Sequence, residues 1–169
     1  MRHLLFAGLL LAAPTVLAQG AAAAPAPTAS APGAVVGPDQ ALLRGIIWAT
    51  EPGPEEIRVI AIEDLALLGD PRALAPLSAL LWDPNPRIQQ AAVRAVALFQ
   101  HPRAEEILSS VMRNSRLPDA LKIQALDGLL YQRTPSARAT VEAASRDTRL
   151  PLAIQSAANS VAARWGAPK

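Results

Sequence analysis

Leu67 to Met112 reads LLGDPRALAPLSALLWDPNPRIQQAAVRAVALFQHPRAEEILSSVM, and one unit is written in it twice. Pro71-Arg72-Ala73 returns 31 residues later as Pro102-Arg103-Ala104, and a looser copy starts 33 residues further on at Pro135-Ser136-Ala137. The match spreads to apolar positions. Ala61, Leu65 and Leu68 return as Ala92, Val96 and Phe99, while Leu77 and Leu80 return as Leu108 and Val111. A period near 30 residues predicts stacked helix pairs, because one pair cannot bury its apolar face alone and must lean on the next. The expected fold is all-α, an α-solenoid (superhelix) of about three to four helix pairs.

The helices can be placed from their starts and stops. A first one is expected near Asp39 to Thr50, with Leu42, Leu43, Ile46 and Ile47 on one side and Pro52-Gly53 ending it. Pro54 opens the next, where a missing N–H costs nothing, and Glu55 and Glu56 complement the positive helix start. Ile57, Ile60, Ala61, Leu65 and Leu68 then form an apolar face up to Gly69. Asp70 caps a helix that should run to about Trp82, with Leu77, Leu80 and Leu81 inward and a kink at Pro76. Asp83-Pro84-Asn85-Pro86 makes the turn between repeats, with Asn85 as cap. Ile88, Ala91, Ala92, Ala95, Val96 and Phe99 form the next stripe, and Pro102 opens its partner with Ile107, Leu108 and Val111 inside. A third pair spans about Pro118 to Gln132 and Pro135 to Arg146, its second helix capped by Thr134. Gly128 weakens a helix interior and so marks the close approach of a neighbour. Pro151 opens a last helix through about Trp165, with Ile154, Ala157, Val161 and Trp165 on one face. The count is eight helices: three full pairs and two flanking single helices.

The ends have a different character. Met1 to Ala18 has the form of a secretory signal peptide: a short basic start at Arg2 and His3, an apolar core from Leu4 to Val16, and the small-residue site Val16-Leu17-Ala18. The apolar run falls short of the roughly 20 residues that span a bilayer, and Pro14 interrupts it, so membrane attachment is expected only if the segment stays uncleaved. No cysteine follows it, which excludes a lipoprotein anchor. Gln19 to Pro38 is Ala/Pro-rich with little to bury and is expected to be an extended tether, leaving residues 39–166 as the repeat domain. The chain is therefore expected to be exported, to a periplasm or the medium. With no cysteine anywhere it must hold its fold by packing alone, and thiol catalysis and zinc thiolate sites are excluded.

Asp83 to Met112 resembles HEAT repeats, in particular the short type named after phycobilisome lyases, and Leu67 to Asp83 resembles the end of one such repeat. The likeness is good over Pro54 to Met112, weaker over Pro118 to Arg146, and covers half a repeat from Pro151. The third unit departs from the pattern because Gln132-Arg133-Thr134 inserts a residue before its proline. The resemblance implies a scaffold whose second helices line a concave face, and it implies no single activity. Some relatives join bilins to proteins or handle damaged DNA, but no motif specific to either is present.

The residues offer little catalytic chemistry. His101 is the only histidine after the signal peptide; at the position where the earlier repeat has Asp70, it reads better as a helix-cap residue than as a general base. Glu55-Glu56 and Glu105-Glu106 are helix neighbours that diverge by about 100°, so they suit helix-start electrostatics and not paired acid–base work. No catalytic residues, cofactor or metal are expected.

The candidate contact surface is instead a polar ridge on the second helices. Arg72 and Arg103 stand at equivalent positions; Trp82, Arg113 and Arg146 form another row; Glu106, Ser110 and Glu142 lie between. An aromatic with several arginines suits a protein or peptide partner, while the competing reading is that these arginines pair with acids of adjacent turns. Nucleic acid is not expected, since the basic C-terminal half offers one tyrosine and one tryptophan to stack bases. Residues 19–112 carry six basic against ten acidic residues and residues 113–169 nine against four, an asymmetry that can also favour head-to-tail self-association. The expected role is an exported, non-enzymatic scaffold or adaptor. A lyase-like or cofactor-binding enzyme subunit, or a self-associating module of the cell envelope, are the alternatives.

Overall fold

The computed structural model describes residues 38–165; the segments expected to be a signal peptide and a tether, up to residue 37, and the last four residues lie outside the described residues. Among the described residues every regular element is helical: α1 (Pro38–Ala49), α2 (Glu55–Leu68), α3 (Leu74–Ala79), α4 (Pro86–Leu98), α5 (Pro102–Arg113), α6 (Asp119–Gln132), α7 (Pro135–Arg146) and α8 (Leu152–Trp165). The expected pairs are present as α2 with α3, α4 with α5 and α6 with α7, flanked by α1 and α8.

Four caps define the starts. Asp70 accepts from the Arg72 N–H at 2.9 Å and Asn85 from the Arg87 N–H at 2.9 Å. His101 accepts through Nδ1 from the Arg103 N–H at 3.1 Å, and Thr134 through its hydroxyl from the Ala137 N–H at 3.1 Å. Each cap precedes a proline, whose fixed φ suits the first helical position and whose missing N–H leaves nothing unpaired. Histidine thus does at 101 what aspartate does at 70, with a ring nitrogen in place of a carboxylate oxygen.

The second helix of the first pair differs from expectation. It is not one kinked α-helix but a 3-10 turn (Pro71–Ala73), the short α3, and a second 3-10 turn (Leu80–Trp82). Pro76 is the reason: it has no N–H for the Arg72 carbonyl, and its ring crowds that group, so the first turn tightens to i,i+3 bonding. The residue inserted before Pro135 is absorbed by Arg133, which adopts a left-handed conformation (φ 56°) after α6 as Gly69 (φ 66°) does after α2. An exposed arginine held there is strained by about 1 kcal/mol, so Arg133→Gly should raise stability by about that much in chemical denaturation.

The helices form two layers. The first helices α2, α4, α6 and α8 pack directly on one another down the stack, whereas α3, α5 and α7 meet only sparingly. Side-chain size explains the difference. Ala91, Ala92, Ala95, Ala125 and Gly128 are buried along the first-helix layer and let those backbones approach. One continuous apolar core runs from Leu43 in α1 to Val161 in α8, built almost wholly of aliphatic side chains.

The face of α2 is a second correction. Its buried residues are Arg58, Ala61, Ile62 and Leu65, while Ile57 and Ile60, expected inside, are each 54% exposed and Leu68 is exposed as well. The residues that match Ile57 and Ile60 one repeat later are Ile88 and Ala91, which are buried. α4 packs on the first helix before it, and α2 has none before it among the described residues.

Candidate interaction site

Because α5 and α7 stand apart, a groove runs between them. At its upper end the capping turns are tied together, the Thr134 hydroxyl donating to the Glu105 carboxylate at 2.6 Å. Below this the groove opens to about 730 Å³ between Arg103, Glu106 and Arg113 of α5 and Ser136 and Thr140 of α7. Arg113 and Thr140 also line its continuation of about 580 Å³, whose walls are Met112, Ala139, Ala143, Ala144 and Leu150, with Asp147 and Arg149 at the edge. One half is polar and open, the other largely apolar.

The electrostatics follow from which charges are already satisfied. Arg149 donates to Asp147 through Nε at 2.9 Å and Nη2 at 3.0 Å, and this holds the Asp147 carboxyl below its usual pKa. Arg103 and Arg113 make no ion pair among the described residues, and neither does Glu106. The groove therefore presents two uncommitted guanidinium groups and one uncommitted carboxylate, with Arg113 reaching the apolar wall as well. Such a site can take an apolar side chain and a neighbouring carboxylate.

The expected ridge is only partly gathered here. Arg103, Glu106 and Arg113 line the groove. Arg72 instead closes on Asp70 within its own turn, and that guanidinium is what depresses the Asp70 pKa. Trp82 is exposed at the end of its 3-10 turn, away from the groove. The Ser110 hydroxyl donates to the Ile107 carbonyl of its own helix at 2.7 Å. Glu142 accepts from Arg138 at 2.8 Å and Arg146 at 3.4 Å, a triad along α7 that lowers the Glu142 pKa chiefly through Arg138.

Sequence reasoning missed Met112, Thr140, Arg149 and Leu150. One signal was available: Asp147-Thr148-Arg149 repeats the acid–x–arginine spacing of Asp70-Pro71-Arg72. No three His, Cys, Asp or Glu side chains cluster to hold a metal ion, and no helix is long and apolar enough to cross a membrane, both among the described residues.

Residues 43–119 match the family of HEAT repeats. No curated protein matches the chain. Among solved structures, that of human deoxyhypusine hydroxylase in complex with glycerol is similar to it with a TM-score of 0.69 at 18% identity, over 78% of this chain and 48% of that one. The chain thus spans about half the length of that structure, and the likeness is one of fold. Paired helices, proline-opened caps and the matched segment together show an all-α solenoid with HEAT repeats over residues 43–119.

Proposed function

We propose that the protein is an exported, non-enzymatic HEAT-repeat scaffold that binds a protein or peptide in the groove between α5 and α7. The observation that carries the reading is the pairing of an apolar wall with the uncommitted Arg103 and Arg113 on the second-helix face. The preferred ligand is a segment with an apolar side chain next to one or more carboxylates. A nucleic acid is disfavoured because the groove has no aromatic platform for bases. Export rests on the signal-peptide form of Met1 to Ala18.

Crosslinking pull-down from the native envelope fraction tests this. Arg113→Glu should lower partner recovery roughly tenfold by reversing the charge shared by both halves of the groove. Trp82→Ala, outside the groove, should leave recovery unchanged. Equal recovery with wild type and Arg113→Glu removes the groove from the reading.

A further inference from the structure

The two ends of the solenoid are complementary halves of one repeat. α1 packs on α2 as α5 packs on α6 and α7 on α8, so α1 is a second-type helix with no first helix beside it among the described residues. α8 is a first-type helix, packed on α6 and α7, with no second helix of its own among them. We propose that copies of this chain associate head to tail, α8 of one protomer seating on α1 and α2 of the next and completing a helix pair across the junction.

The receiving surface is an apolar groove of about 330 Å³ between α1 and α2, lined by Leu42, Ile46, Ile57 and Ile60. Its α2 positions are the ones whose equivalents in α4, Ile88 and Ala91, are buried, and α4, unlike α2, packs on a preceding first helix. The inserting surface shows the same contrast. Asn159 and Ala163 of α8 are exposed, while their equivalents one repeat earlier, Leu126 and Leu130 of α6, are buried. The outward side of α8 carries Leu152, Ser156, Asn159 and Ala163, all exposed and none charged.

Three alternatives for the occupant can be separated. Residues 19–37 hold no apolar side chain larger than valine and three prolines, so they lack the material for the missing first helix. A two-fold contact of one receiving groove with another leaves both missing helices unsupplied. Net charge favours the opposite ends: the span 38–68 has six acidic residues against two basic, and the span 135–165 has four basic against two acidic, its arginines already paired with Asp127, Glu142 and Asp147. Such a heterologous contact does not close on itself at two copies, and it builds filaments or rings. It leaves the α5–α7 groove free and does not depend on the function proposed for it.

Sedimentation of the full chain at low salt, over a rising concentration series, reads the association directly. Wild type should grow in mass beyond a dimer. Ile60→Glu on the receiving end and Ala163→Glu on the inserting end should each give monomers, weakened roughly tenfold or more by a charge buried at the junction. Both positions are exposed, so circular dichroism should show the variants as helical as wild type. Mixed together, the two variants retain one intact receiving end and one intact inserting end, and should form a dimer that grows no further. A wild-type monomer throughout, association abolished by Ile60→Glu but not by Ala163→Glu, or association that survives both substitutions would each overturn the proposal.

Discussion

Arg58→Ala should destabilise the fold by about 3 kcal/mol, with a fall in melting temperature of roughly 10 °C. The guanidinium is buried, and three segments depend on it. Its Nε donates to the Thr50 carbonyl at 2.9 Å, fixing the end of α1, and its Nη2 donates to the Asp83 carboxylate. Asp83 also accepts from the Asn85 N–H at 2.8 Å, and Asn85, the cap of α4, reaches back to Glu55, which pairs with Arg87. Alanine would leave the Asp83 carboxylate, 9% exposed, without its cationic partner and with only the Asn85 N–H, and the Thr50 carbonyl without the guanidinium donor; a buried charge that loses its partner is what makes such deletions costly. Arg58→Lys should recover little, since one ammonium cannot span both acceptors. Because a solenoid is stabilised by nearest neighbours, hydrogen exchange should quicken first in α1 to α3 and last in α6 to α8.

The same site sets an acid limb. The Arg58 hydrogen bond lowers the Asp83 pKa below its ordinary 3.8, with help from the Asn85 N–H and against the effect of burial. A depressed carboxylate contributes stability above its unfolded value of about 3.9, and that contribution fades as pH falls through the folded value. The gap between wild type and Arg58→Ala should therefore be full near neutrality and narrow below about pH 4, which urea titrations at several pH values would measure. A constant gap across that range would locate the effect in packing alone.

What was legible in the sequence is what local chemistry decides. Asp70, Asn85, His101 and Thr134 could be read as caps because each stands one residue before a proline that opens a helix. The inserted residue near Arg133 was visible as a break in period, though not its solution, a left-handed arginine. Nothing in the neighbourhood of Arg58 along the chain announces its partner Asp83, which lies 25 residues away. Ile57 and Ile60 fit the helical stripe as well as Ile62 does, and only the missing neighbour of α2 decides which of them is covered. The α5–α7 groove has the same origin. It is set by how far two helices stand apart, so Arg103 and Arg113 could be named, whereas Leu150, supplied by the turn after α7, left no trace in the sequence and Arg149 left only its spacing from Asp147.

Gly128→Val should cost about 3 kcal/mol, the upper part of the range for overpacking a filled core. Alanine in place of glycine ordinarily strengthens a helix interior by up to about 1 kcal/mol, so the sign itself is diagnostic. At Gly128 a Cβ would stand 2.9 Å from the Ala97 Cβ and 3.1 Å from both Leu108 methyl carbons. The Ala97 Cβ is fixed to the backbone of α4 and cannot swing aside, and Leu108 is fully buried. Even Gly128→Ala must push α6 off α4 and α5, and is expected to lose about 1–2 kcal/mol. Gly45 in α1 is the contrast: nothing lies within 4 Å of its added Cβ, so Gly45→Ala should stabilise by about 0.5–1 kcal/mol. Restoring the gap from the other side completes the test. Ala97→Gly alone should destabilise by about 1 kcal/mol through helix propensity, yet in the Gly128→Ala background it should cost less, a coupling of at least about 0.5 kcal/mol. Additive losses in that cycle would mean that α4 and α6 do not depend on Gly128 for their close approach.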